Sequence, residues 1–277
     1  MPDQIVGLGA RFYRVMESQR DWAQGIDFSG ISDVTVFNGA VVALLRRSPE
    51  LLVLSPNGAL VRKISLRDVV LGHGIRALGA DLMAVTDVDG HQVLLLDAEF
   101  NECHRLHCGN RPALGRPFNH PTDCARDEHG RIFVTDGYGN SQLHVFNPDF
   151  THSHSIGGAG AGEGQFTTPH AVAVLHDGRI AVADRENNRV QIFGANGDYL
   201  SSITGLHKPM ALEVMGDKLL VTDQTPRLSI YDRDGVLIGR CRTFATYGHG
   251  GAVAEDGSIF IANMGPDGLT KLEPLPL

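Results

Sequence analysis

Short apolar runs, each closed by a turn of Gly, Asn, Asp or Pro, recur along the whole chain. The first seven lie at 34–37, 41–46, 51–54, 60–64, 82–86, 93–97 and 103–107. Nowhere does an apolar period of about 3.6 residues persist for three turns, so helices are predicted to be few and short. Many short strands at even spacing belong to a sandwich, a barrel or a propeller.

A repeat chooses among these. Five segments align: GHGIRALGADLMAVTD from Gly72, PTDCARDEHGRIFVTD from Pro121, PHAVAVLHDGRIAVAD from Pro169, PMALEVMGDKLLVTD from Pro209 and GHGGAVAEDGSIFIAN from Gly248. Each reads as Pro or Gly, a strand, a tight polar turn, then a second strand ending in Asp or Asn. Third strands follow at 92–96, 142–146, 189–193 and 228–231, and a turn and a fourth strand come after them. The period of roughly 40–50 residues is that of a four-stranded propeller blade. With a degenerate first copy near Gly30, the sequence predicts one six-bladed β-propeller over 1–277, with blades starting near 30, 73, 121, 169, 209 and 248. The last copy is one strand short. The strand-like segment 12–16, within an N-terminal stretch of about 1–27, is expected to supply it and close the ring. A loose N-terminal tail is the alternative.

Composition narrows the partners. The 277 residues carry 24 Lys+Arg against 32 Asp+Glu, a formal net charge of −8, which argues against nucleic acid or an anionic membrane. The longest apolar runs, 40–45 and 51–54, fall far short of the roughly 20 residues that span a bilayer. The opening residues lack the charged-then-apolar pattern of a leader, so a soluble, cytoplasmic protein is expected. Cys103, Cys108, Cys124 and Cys241 form no CxxC and read as reduced thiols, a Cys103–Cys108 bridge being the less favoured alternative.

In a propeller the first strand of each blade lines the central channel, so equivalent repeat positions form a ring. The residue after the leading Pro or Gly is His73, Thr122, His170, Met210 and His249 in blades two to six. Histidine thus occupies alternate blades. Three imidazoles converging from those directions make a metal site with one open coordination position, the arrangement of a catalytic zinc, although ligand type also admits other first-row dications. The other ten histidines read as surface or hydrogen-bonded residues. Three more features fall near the channel: the turn bearing Tyr138, the turn bearing Arg185, and the pair Arg46 and Arg47. Asp136 and Asp184 read as turn-stabilising carboxylates. An arginine beside the metal would bind a carboxylate, and a tyrosine beside a dication and an arginine would have its phenol pKa lowered into the range of a base.

Residues 121–142 and 164–193, with DGYGNS and VADRENNR, resemble NHL-repeat propellers, and specifically the peptidyl-α-hydroxyglycine α-amidating lyases and their bacterial relatives. The resemblance runs from about residue 30 to the end. It implies zinc ligands at His73, His170 and His249, a catalytic Tyr138, a substrate-binding and catalytic Arg185, and a second active-site arginine at Arg47, with Arg46 one residue out of register. It further implies a small substrate carrying a carboxylate or amide, in which the C–N bond of an N-acyl hemiaminal breaks to an amide and an aldehyde such as glyoxylate. Tyr247 and Met210 are expected to shape the pocket. Gly250 stands where the family has an acidic calcium ligand, so no calcium is expected, and Gly139 replaces a family cysteine. A metal-hydroxide hydrolase of an ester, lactone or amide and a non-enzymatic NHL scaffold stay open as alternatives.

Overall fold

The computed structural model describes residues 4–107 and 112–276, which form six antiparallel sheets. Blade 1 begins with the inner strand Ile31–Phe37, and the next five blades begin with Gly72–Ala77, Asp123–Arg126, Pro169–Val174, Pro209–Met215 and Tyr247–Val253. Each inner strand packs beside the next, and Tyr247–Val253 returns to Ile31–Phe37, so the ring is closed.

The strand pattern follows burial. Second and third strands such as Met83–Asp87 and Gln92–Leu96 are buried at every position, because a neighbouring blade covers each face. Outer strands such as Leu60–Ser65 and His152–Gly157 are largely exposed and polar. Six apolar cores result, one at each blade–blade junction. Leu44, Leu51 and Ile75 meet between blades 1 and 2, for example, and Trp22, Phe28 and Phe260 meet between blades 6 and 1.

Closure goes further than one strand. Arg11–Glu17 pairs with Gly268–Pro274 in blade 6, with Val15 opposite Leu272, and Ile5–Leu8 adds a fifth strand outside it. Tyr13 and Val15 are buried in the core between blades 5 and 6. Among the described residues helix is confined to Ser18–Trp22 and Arg185–Asn187. No helix among the described residues is long and apolar enough to cross a membrane.

The aspartate that ends the second strand in four blades is structural. Asp87 accepts the N–H groups of Val70 and Leu71, Asp136 that of Asn119, Asp184 that of Thr167 and Asp223 that of His207. Each buried carboxylate thereby ties the segment entering its own blade to the turn leaving the second strand. Cys124 is a buried free thiol and Cys241 a half-buried one, while the Cys103–Cys108 pairing falls outside the described residues.

Candidate metal centre

His73, His170 and His249 project from the inner strands of blades 2, 4 and 6 and are almost fully buried. Their ring centroids lie 4.8–5.0 Å apart, and one nitrogen from each falls within 4.8 Å of the others. Each Nδ1 sits against a backbone carbonyl in the following blade: His73 to Thr122 at 2.8 Å, His170 to Met210 at 2.8 Å and His249 to Ser32 at 2.7 Å. Ser32, Thr122 and Met210 hold the same repeat position in blades 1, 3 and 5. Three histidines therefore alternate with three carbonyls around one axis.

A carbonyl can only accept, so each Nδ1 carries the proton and each Nε2 keeps its lone pair. Burial holds all three imidazoles in the neutral form: the pKa of His170 falls to about 3, and those of His73 and His249 fall well below the usual value. Arg46 adds to the lowering at all three. Neutral imidazoles with preset tautomers and free, converging Nε2 atoms are what a first-row dication requires, so this donor set fits a metal.

Tyr138 comes from the turn after the second strand of blade 3. Its hydroxyl lies 3.0 Å from His73 Nε2 and 3.1 Å from His170 Nε2, and Arg185 Nη1 donates to it at 3.4 Å. As a residue Tyr138 is 43% exposed, yet its hydroxyl is turned inward to the histidines. The close approach depends on Gly137 and Gly139, where a Cβ would meet the Pro169 carbonyl at 2.2 Å and Asn119 at 2.2 Å. Burial pushes the phenol above its ordinary pKa, and Arg185 and Arg46 pull it back only in part. The arginines alone do not lower the phenol, and the expected lowering requires a dication beside it as well as an arginine. A dication at the histidines is the remaining source of positive charge.

Of the two arginines in blade 1, the structure brings Arg46 to the site and not Arg47. Arg46 follows the second strand Ala40–Leu45 as Arg185 follows Ile180–Asp184, and the backbone is held alike: Arg46 N donates to Gly30 O at 2.9 Å, Arg185 N to Thr168 O at 3.2 Å. Blades 1 and 4 face each other across a six-membered ring, so the two arginines start from opposite sides of the opening, and both act on His170, His249 and Tyr138. Both have a buried Nε without a hydrogen-bond partner. Arg47 is exposed, with its stem beside Gly30. Tyr247 joins the rim and its hydroxyl donates to Met264 Sδ at 3.4 Å, whereas Met210 is buried and contributes its carbonyl.

Sequence reasoning missed the floor. One layer below the histidines, Arg76 reaches across the axis to Asp123 at 3.0 Å and to Glu213, and Asp33 receives the N–H of Ile75 at 2.9 Å. Burial pushes the Asp33 carboxyl well above its ordinary range and that of Glu213 to about 7, both against the pull of Arg76. A Cβ on Gly250 would lie 2.0 Å from Asp33 Oδ1, so the glycine makes room for this carboxylate. Four ionisable residues at inner-strand positions of blades 1, 2, 3 and 5 were the available signal.

The NHL repeat family matches residues 166–193. The peptidylglycine α-amidating monooxygenase of Rattus norvegicus is 37% identical over 153 residues, 52% of this chain but 16% of that protein. The chain thus spans about a sixth of the length of such relatives. A probable peptidyl-α-hydroxyglycine α-amidating lyase of Caenorhabditis elegans is 28% identical over 265 residues, covering 88% of this chain and 73% of that one. Among solved structures, a gluconolactonase of Xanthomonas campestris superposes with a TM-score of 0.73 at 16% identity, over 99% of this chain and 95% of that one, which speaks for the fold alone. The chain is a six-bladed β-propeller with an NHL repeat, similar in sequence to the peptidyl-α-hydroxyglycine α-amidating lyases.

Proposed function

We propose that this protein is a zinc-dependent lyase that cleaves the C–N bond of a small N-acyl hemiaminal, giving an amide and an aldehyde such as glyoxylate. One observation carries the reading: the hydroxyl of Tyr138 lies within 3.1 Å of the preset Nε2 atoms of both His73 and His170, and Arg185 lies within reach of that same hydroxyl. When bound at His73, His170 and His249, zinc supplies Lewis acidity that makes the substrate hydroxyl easier to deprotonate.

The chain's own groups account for the rest. Arg185 and Arg46 hold the substrate carboxylate through their guanidinium groups. Tyr138, as phenolate, takes the hydroxyl proton. The C–O bond becomes a carbonyl, the C–N bond breaks, and its electron pair goes to nitrogen. Tyr138 returns the proton to that nitrogen, so the amide leaves neutral and no water is consumed. Burial of the histidines keeps bulk water from competing for the same position.

Zinc-loaded protein with α-hydroxyhippurate tests this. Benzamide and glyoxylate in equal amounts support the lyase; benzoate as the product would show the hydrolase instead. Replacing His73, His170 or His249 by Ala is expected to abolish both zinc retention, about one per chain in the parent, and turnover.

A further inference from the structure

The residue that directly follows the second strand, or its closing Asp or Asn, builds the rim. Around the ring it is Arg46, Val88, Gly137, Arg185, Gln224 and Met264. One backbone hydrogen bond recurs at this position: Arg46 N to Gly30 O at 2.9 Å, Val88 N to Leu71 O at 3.0 Å, Arg185 N to Thr168 O at 3.2 Å and Gln224 N to Lys208 O at 3.1 Å, the last shared with His207 O at 2.8 Å. Gln224 therefore holds in blade 5 the backbone position that Arg46 and Arg185 hold in blades 1 and 4. With blades 1 and 4 at the poles, blades 5 and 6 form the arc that faces Tyr138.

That arc has a distinct chemistry. Gln224 is half-buried and its carboxamide makes no hydrogen bond to any described residue, whereas Gln92 and Gln191, buried in neighbouring blades, are each fixed on an aspartate. Met264 pairs directly with Tyr247 across the blade-6 ladder and accepts its hydroxyl. The arc therefore offers a neutral donor–acceptor pair beside a thioether and an aromatic edge. The poles on either side are cationic.

We infer that Gln224, Met264 and Tyr247 form the subsite for the neutral N-acyl end of the substrate. The Gln224 carboxamide hydrogen-bonds the scissile amide, and Met264 with Tyr247 covers an apolar acyl group. This rests on the lyase reading and deepens it: the preferred substrates are α-hydroxyglycines whose acyl group is uncharged and apolar, with a single carboxylate held at the arginine poles. An acyl group bearing its own carboxylate gains nothing from this arc and exposes buried thioether and aromatic surface to a charge.

Zinc-loaded wild type and the Gln224→Leu and Met264→Glu variants are compared for zinc content, for KM and kcat on N-benzoyl and N-succinyl α-hydroxyglycine, and for the affinity of hippurate, which lacks the hydroxyl and is not cleaved. Zinc content stays near one per chain throughout. Gln224→Leu weakens hippurate about tenfold and lowers kcat/KM for the benzoyl substrate by at least as much, because the amide it contacts gains electron density as the C–N bond breaks. Met264→Glu weakens the benzoyl ligands by a similar factor. Wild type prefers benzoyl over succinyl at least tenfold in kcat/KM. Unchanged kcat/KM and hippurate affinity in Gln224→Leu, while wild type turns the benzoyl substrate over, overturn the subsite and leave the lyase standing. Failure of wild type to cleave either substrate or to bind hippurate overturns the lyase reading itself.

Discussion

His249 Nδ1 lies 2.7 Å from the carbonyl oxygen of Ser32, a contact between residues 217 positions apart that joins the last blade to the first. The hydrogen bond that orients one of the three imidazoles is also a bond across the ring closure. Metal binding and closure are therefore coupled.

Removing residues 1–17 is expected to weaken both. Leu8, Tyr13 and Val15 lose burial worth about 1.5–3 kcal/mol each, which corresponds to a fall in melting temperature of about 10 °C or more. The Ser32–His249 seam loosens with it, so zinc affinity falls in competition with a chromophoric chelator. An unchanged melting temperature would show that the N-terminal hairpin is an accessory.

Tyr138→Phe removes the hydroxyl that faces His73 and His170 and leaves the ligands in place. Zinc content should equal that of wild type, while kcat for α-hydroxyhippurate drops about 100-fold or more, the scale of a lost general base. Full activity in this variant excludes the tyrosine from proton transfer.

The two neighbouring arginines should separate cleanly. Arg46→Met is expected to raise KM for a carboxylate substrate about 10- to 100-fold, equivalent to losing a charge-assisted hydrogen bond of about 1.5–3 kcal/mol. Arg47→Met should leave KM within twofold, since Arg47 is exposed with its stem beside Gly30. Initial-rate kinetics on zinc-loaded protein decide it, and a larger effect at Arg47 reverses the assignment.

Acid should destabilise the metal-free protein through the histidines. Their pKa values are lower folded than unfolded, His170 standing at about 3 against an ordinary 6.5. Below about pH 6.5 the unfolded chain binds more protons than the folded one, so stability falls as pH falls, by up to about 1.4 kcal/mol per pH unit for each imidazole. Glu213, raised to about 7 from 4.5, acts in the opposite direction over that range. The comparison of wild type with His170→Asn isolates the imidazole: the urea midpoint of the variant should change less between pH 7.5 and 5.

The repeat carried most of the fold because each blade solves the same burial problem with the same strand–turn–strand pattern. Histidine in alternate copies carried the metal centre for the same reason: one position in every repeat faces one axis. Three things escaped. The extra strand Ile5–Leu8 is short and half-exposed, so its alternation is too weak to read. Arg46 and Arg47 are adjacent, and only the backbone bond from Arg46 to Gly30 shows which of them repeats Arg185. Arg76 and Glu213 lie one strand pitch from the histidine register, and charges on strands usually face water. Only their mutual contact across the axis identifies them as buried.

That contact makes the propeller a well with a bottom. Arg76, Asp123 and Glu213 are joined across the axis under the imidazoles, on the side away from Arg46 and Arg185. In the proposed reaction both fragments would then leave past the same rim, and the fragment bearing the carboxylate would have to break its grip on the guanidiniums before the next molecule could be seated.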